Sequence, residues 1–314
     1  MSFSPVIAKP APTVLSTDIG SDVDDTWALA QLLRSPELDL KMVLTETGEA
    51  RYRGAVTAKV LEIAERTDVG IALGSSSWQM SEEKKFQGPW VEEGYDLDGY
   101  AGTVHEDGVQ AFIDFVSASE ETVTVIGIGP APSLAKALMV APEIAKKCKF
   151  YGMFGSFRIG YDGKAPISNE TNVRVDVPAF RVLMKADWQH MKITPLDTCG
   201  ILTLSGENYH RIWSATNDPL MRAVIENYCI WAPRVDWGDY SYFATRSSVL
   251  FDSVAVHMAS SSDFLKFEDL RFDVTDDGFT KLNPKGEYKA RVAMEWTDLE
   301  GFEAYLTRRL LGEE

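Results

Sequence analysis

Apolar positions along the chain alternate between two rhythms. Residues 13–15 (Thr-Val-Leu) form a short run of β character, and Trp27, Leu29, Ala30, Leu32 and Leu33 then recur at the spacing of one helix face. The same alternation continues: residues 40–44 predict a second strand, 55–64 a helix and 69–73 a third strand. A β-α-β-α-β rhythm implies a parallel sheet, because each return to the same edge of a sheet needs a crossover, and the crossovers bury its two faces. The expected class is α/β: a Rossmann-like, open, mainly parallel sheet with helices on both faces.

Residues 74–106 interrupt this rhythm with Gly, Ser, acidic and aromatic residues, including GPWVEEGYDLDGYAG. A stretch of that length is either a lid or a disordered insertion. Trp90, Tyr95 and Tyr100 fit a lid packed over a pocket as well as they fit ordinary loop packing. Beyond it the pattern predicts a helix at 107–117, a strand at 122–126, a helix at 133–139 and a strand at 149–154. Helices follow at 177–185, 205–214, 219–231 and 248–259, with a strand at 193–197 among them. The chain closes with β-rich segments at 270–275 and 288–296 and a helix at 298–311. Neither an internal repeat nor a linker interrupts it, so the expectation is a flexible leader at 1–12 and one domain over 13–314.

Composition narrows the partners. The 314 residues are 45% apolar and 25% charged, as in an ordinary globular protein, but the formal net charge is -16. That charge repels phosphate backbones and acidic membrane surfaces, so neither nucleic acid nor membrane is an expected partner. No window approaches the ~18 apolar residues of a membrane span. The three cysteines, Cys148, Cys199 and Cys229, lack metal-type spacing and are odd in number, which fits reduced thiols in the cytoplasm.

Candidate chemistry concentrates between the first strand and the first helix, where Asp18, Asp22, Asp24 and Asp25 crowd one loop. Strand-end loops of an open α/β sheet face a shared crevice. Four carboxylates gathered there repel one another unless a cation joins them, and Ca²⁺ or Mg²⁺ wants several oxygen ligands. Asp18 and Asp25 suit a metal, and Asp24 suits a water held by it. An N-cap would account for one carboxylate at a helix start, not for four. Asp252, within VLFDSVAVHMA, either caps its own helix or reaches the same metal from across the sheet; on its own sequence, capping is the simpler account.

These residues resemble the inosine–uridine-preferring nucleoside hydrolase family over most of the chain. TDIGSDVDDTWAL resembles its aspartate-rich N-terminal signature, VTVIGIGPAPSLAKAL its strand, turn and helix, and FYGMFGSF its glycine-containing strand end. ETNVRVDVPAF is similar to its Glu-x-Asn element, and LFDSVAV to its late Asp-containing helix. The resemblance implies a Ca²⁺ ion held by Asp18, Asp25, Asp252 and the carbonyl of Ile128, with Asp24 as general base. It further implies sugar contacts from Glu170 and Asn172, with Met153 lining the ribose pocket, in hydrolysis of an N-ribosidic bond. A small-molecule riboside substrate and a homo-oligomer, dimer or tetramer, complete the expectation.

Departures from the family pattern are concentrated at the substrate positions. The family loop reads Asp-x-Gly-x-Asp-Asp; here two residues are inserted and Asp22 appears, so the base is Asp24 or Asp22. Gly48-Glu49 stands where the family has Gly-Asn, and Lys164 or Asn169 where an Asn precedes the Glu-x-Asn element. Phe251 occupies the position of the histidine that protonates the leaving base. Tyr240, Tyr242 and Arg246, before the late helix, are placed for leaving-group contacts, and Trp90 for a lid contact. His105, His190, His210 and His257 read as surface or core residues. Two alternatives follow: a sugar- or nucleoside-binding protein that keeps the metal without turnover, and a phosphatase using Asp18 as nucleophile, for which basic phosphate ligands are wanting.

Overall fold

The computed structural model describes residues 9–75, 80–81, 84–92 and 95–313. Residues 1–8 of the expected leader, and 76–79, 82–83 and 93–94 of the expected lid, lie outside the described residues.

Strand β1 (Ala11–Thr17) begins two residues before the expected boundary and pairs in parallel with β2 (Leu38–Thr45) on one side and β5 (Val123–Gly127) on the other. The sheet continues outward through β3 (Gly70–Leu73) to β4 (Val104–His105), and through β6 (Cys148–Met153) and β7 (His190–Thr194) to β10 (Tyr288–Trp296). All of these pairings are parallel. Strands β8 (Leu265–Val274) and β9 (Thr280–Leu282) extend the far edge antiparallel, giving one ten-stranded sheet among the described residues.

Side chains alternate across the pleat and feed two separate cores. Leu15, Val43, Ile126 and Tyr151 face one of them; Val14, Leu44, Val125 and Phe150 face the other. Helices α1 (Asp24–Leu33), α2 (Ala50–Ile63), α9 (Gly206–Ser214), α10 (Pro219–Trp231), α11 (Ser253–Ser260) and α12 (Leu299–Leu310) cover the first face. Helices α4 (Gly108–Ala118), α5 (Pro132–Val140) and α7 (Val177–Lys185) cover the second. None of the described helices is long and apolar enough to cross a membrane.

Three expected elements shift for local reasons. The strand expected at 193–197 ends at Thr194, because Pro195 has no N–H for the ladder, and residues Leu196–Cys199 turn into a short helix, α8. The helix expected from 248 starts at Ser253, after an extended approach in which Leu250 N–H bonds to Leu202 O at 2.9 Å. The 74–106 stretch holds a short helix, α3 (Gly88–Glu92), and the edge strand β4. The fold places one crevice above all others: β1 has its neighbours β2 and β5 on opposite sides, so strand order reverses there, and the loops after β1 and β5 diverge.

Candidate functional site

The loop after β1 carries Asp18 to Val23 into α1. Gly20 adopts φ +105°, and a Cβ there would lie 2.7 Å from the Tyr52 ring, so glycine is required on both counts. Four side chains hold this loop by its backbone. Tyr52 donates to Gly20 O at 2.8 Å, Trp231 Nε1 to Ser21 O at 3.0 Å and Gln87 Nε2 to Asp22 O at 3.4 Å. Arg53, fully buried, donates to Asp18 O, to Ile19 O at 2.8 Å, to Ser21 Oγ at 3.0 Å and through Nε to Thr47 O at 3.0 Å. None of the four stood among the expected site residues. Arg53 did carry a signal: it is spaced three, seven and eight residues from Val56, Val60 and Leu61, on the inward face of α2.

At the start of α1 the carboxylates of Asp24 and Asp25 meet that of Asp252. One oxygen from each lies within 4.8 Å of the others, and all three residues are buried. Capping explains none of them. α1 has no side-chain cap bond at Val23, and α11 has none at Asp252, so Asp252 turns across the sheet instead of onto its own helix. Thr17 donates its hydroxyl to Asp25 Oδ1 and receives the Ile19 N–H at 3.1 Å. Asp22 spends one oxygen on the neighbouring Val23 N–H at 2.6 Å.

Asp18 stands beside this trio, half-buried. Its Oδ2 is 3.4 Å from Ser21 Oγ and 3.9 Å from Arg53 Nη2, and Gly129 packs so closely that a Cβ would lie 2.5 Å from Asp18 Oδ1. Burial pushes all five carboxyls up; for Asp24 and Asp252 the repulsion of the other acids adds to it. Asp22 rises to about 7, and Asp24, Asp25 and Asp252 rise well above the ordinary range. Among the described residues no lysine or arginine pairs with Asp24, Asp25 or Asp252. The oxygen-only donor set, buried and short of positive charge, therefore fits a hard divalent cation.

The far wall comes from β5, β6 and the segment before α7. Asn172 donates its amide to Ile128 O at 3.2 Å and Met153 O at 3.0 Å, bridging the ends of β5 and β6. Glu170 is buried and accepts from the N–H groups of Gly155 (3.0 Å), Asn172 (2.6 Å) and Val173 (3.2 Å), capping the short helix α6 (Thr171–Val175). Burial raises its carboxyl to about 7 against these bonds.

The remaining expected positions have partners of their own. Asn169 donates to Asp277 O at 3.1 Å, in the turn between β8 and β9, and Lys164 is exposed on the loop before it. Trp90 packs beneath Lys59 Nζ, 4.4 Å from the ring, with its indole N–H 3.4 Å from Glu226; both contacts are with helices, not with the acidic cluster. Glu49 pairs with Lys85 at 2.5 Å. Tyr242 carries the Arg246 guanidinium over its face at 3.9 Å. Tyr240 stacks edge-on to Trp231 at 4.5 Å, and burial together with nearby Asp22 holds its hydroxyl protonated far above the ordinary range. Phe251 meets Tyr161 edge-to-face at 6.1 Å, and His257 is buried against Phe302 and Tyr305.

Comparison with known proteins agrees with this architecture. The model of the inosine–uridine preferring nucleoside hydrolase family matches residues 13–304. The non-specific ribonucleoside hydrolase RihC of Klebsiella pneumoniae is 30% identical over 138 residues, 42% of this chain and 44% of the relative. RihC of Salmonella typhimurium is 26% identical over 179 residues, 55% of this chain and 57% of the relative. The matched segments thus span about half the length of these curated relatives. Similar folds occur in a purine-preferring ribonucleoside hydrolase from Gardnerella vaginalis (TM-score 0.79, 20% identity) and an inosine–uridine preferring nucleoside hydrolase from Bacillus anthracis (TM-score 0.77, 18% identity). In each case 96% of this chain and 99% of the other is covered. With its family model matched across nearly the whole sequence, the chain belongs to the inosine–uridine preferring nucleoside hydrolase family.

Proposed function

We propose that this protein is a calcium-dependent hydrolase of the N-glycosidic bond of a nucleoside or related riboside. The observation that carries the reading is the trio Asp24, Asp25 and Asp252, buried, uncapped and, among the described residues, without a basic partner, at the reversal point of the sheet. Asp18, Asp25, Asp252 and the Ile128 carbonyl would hold the cation. When bound, it supplies Lewis-acid stabilisation and orientation of a sugar diol.

Asp24 accepts the proton of the attacking water on its carboxylate, which the Asp252 N–H helps to orient. The water oxygen bonds to the anomeric carbon, the C–N bond breaks, and its electron pair leaves with the base. Asn172 fixes the spacing of Ile128 O and Met153 O beneath the sugar. Glu170, already receiving three N–H groups, offers its remaining acceptor capacity to a sugar hydroxyl. Asp22 and Glu49 are assigned to the mouth, and Tyr240, Tyr242 and Arg246 to the leaving group; of these, Tyr240 stands close enough to Asp22 for its charge to be felt. The Tyr240 hydroxyl, kept protonated by burial and by nearby Asp22, is a candidate proton donor to the leaving group. The single sheet supports one domain over 13–314, and three free cysteines support a cytoplasmic setting; a homo-oligomer is part of the same proposal.

Phe251 favours one second reading, a metal-dependent nucleoside-binding protein, because no proton donor stands at that position. Asp24→Asn separates the two. With calcium bound, turnover of a riboside panel falls about 10²–10⁴-fold while nucleoside binding persists. Wild-type protein that binds calcium and nucleoside yet cleaves no riboside would establish the second reading instead.

A further inference from the structure

Glu46 is a fully buried carboxylate that the chemistry above leaves unused. It follows β2 directly and reaches across β1 to the start of α5. Its Oε2 accepts the Ser133 N–H at 2.9 Å, and its Oε1 accepts the Leu134 N–H at 3.2 Å and the Ser16 hydroxyl at 3.0 Å. Helix α5 needs such a partner. Its N-cap is Ala131, which has no side-chain acceptor, and Pro132 has no N–H, so the amides of Ser133 and Leu134 are the first orphaned donors. The Glu46 carboxyl, brought from another strand, meets both.

The same point joins the loops after β3 and β5. The Ser133 hydroxyl accepts the Ser75 N–H at 2.8 Å, and the Thr45 hydroxyl accepts the Gly74 N–H at 3.2 Å. A Cβ on Gly74 would lie 1.9 Å from Thr45 O and 2.4 Å from Ser133 Oγ, so these segments meet at backbone distance. Suspended from this junction is loop 128–131, which carries the Ile128 carbonyl and sets Gly129 directly against Asp18.

We infer that Glu46 is a positioning residue: by holding Ser16 in β1 and the first amides of α5 together, it fixes the separation of Asp18 from the Ile128 carbonyl and so sets cation affinity. The cation readout rests on the function proposed above. A purely structural cap would lower stability without a selective effect on the ion.

Full-length Glu46→Ala, Glu46→Gln and Val292→Ala are titrated with calcium chloride by calorimetry, with thermal unfolding in parallel. Val292 is buried in β10, three strands from β5, and reports what a remote loss of stability does to binding. Glu46→Ala is expected to weaken calcium about tenfold or more, the usual effect of removing a group that orients a ligand. Glu46→Gln, which keeps one acceptor oxygen, is expected to weaken it less and carries the test if Glu46→Ala does not fold. Val292→Ala should lower the melting temperature and leave the Kd within about twofold. Unchanged affinity in the Glu46 variants, or equal loss in Val292→Ala, overturns the inference. If wild-type protein binds no calcium, the cation reading falls, and amide exchange decides Glu46 separately. Faster exchange at residues 128–131, in the loop that carries the Ile128 carbonyl, in Glu46→Gln with α11 unchanged supports positioning; equal exchange there rejects it.

Discussion

The crevice at β1 and the antiparallel edge of the sheet use carboxylates in opposite ways. At the edge, Glu268 meets Arg158 through two bonds of 2.8 and 2.9 Å, Lys266 meets Glu295 at 2.7 Å and Arg291 meets Asp269 at 3.2 Å, all with exposed or half-exposed side chains. In the crevice, Asp24, Asp25 and Asp252 are buried and have one another in place of basic partners. Water and counter-charge make the first arrangement nearly neutral in free energy; the second is unfavourable until protons or a cation neutralise it. In a chain of net charge -16 the number of acids says little. Burial without pairing is what distinguishes the site.

The strongest test of that contrast is Asp252→Asn, because the sign of its effect depends on the ion. In a chelator at pH 8 the variant should be more stable than wild type by about 1–3 kcal/mol, since it removes one of several repelling charges. With saturating calcium the order reverses, and riboside turnover falls by about 10³-fold. Chemical unfolding in both media, with an activity assay, reads both arms. Equal destabilisation in the two media would mean that the crevice acids are not strained by their own charge.

Arg53 sharpens the comparison from the other side, as the buried cation that the crevice does possess. Its Nε and Nη1 are given to the carbonyls of Asp18, Ile19 and Thr47, and its Nη2, buried without a hydrogen-bond partner, faces Asp18 Oδ2 at 3.9 Å and pairs with no member of the trio. Arg53→Met should destabilise by about 3 kcal/mol in urea unfolding, because several carbonyls lose charge-assisted donors. Arg53→Lys, a point donor without the planar fork, should recover less than half of that. A neutral Arg53→Met would show that the acidic loop holds its own shape.

What the sequence made legible follows from how local each signal is. The β1–loop–α1 unit and the parallel order are written in periodicity, and the acids of that loop are adjacent residues, so their crowding is visible before any fold is known. On sequence grounds the meeting of Asp252 with Asp24 and Asp25 competes with capping, and only the direction of its side chain, away from its own helix, decides between them. Trp90, Lys164 and Asn169 depend on the path of irregular segments, which no period encodes; the chain leads Asn169 to the β8–β9 turn and Trp90 onto α2 and α10. The short edge strands β4 and β9 have too few residues to show alternation. Glu46 was hidden most completely. Nothing in the period of Thr-Glu-Thr-Gly marks it as buried, and the amides it meets belong to α5, 87 residues further along.

Glu46 gives a smaller effect with a definite pH window. Burial raises its carboxyl to about 8 against the hydrogen bonds it accepts. Between the unfolded value near 4.5 and that folded value the native state holds the extra proton, so stability contributed by the group declines as pH rises and is lost above about 8. With calcium saturating, wild type minus Glu46→Gln should therefore lose about 2 kcal/mol between pH 6 and pH 8. A flat difference would mean that the α5 amides keep Glu46 ionised throughout, in spite of its burial.

The smallest effect belongs at the sheet edge. Glu268→Ala removes a two-bond partner of Arg158, the best geometry among the exposed pairs of that region, and Glu268 is held below its ordinary pKa chiefly by the Arg158 bonds. Both side chains remain in contact with water, so Arg158 can be resolvated where it stands, and no buried charge is left behind. The loss should be under about 1 kcal/mol, and 0.5 M salt should reduce it further because the pair is screened. Calcium affinity and riboside turnover should not move. A loss comparable to that of Arg53→Met, or any change in calcium binding, would show the edge coupled to the crevice and would break the contrast between paired surface acids and unpaired buried ones.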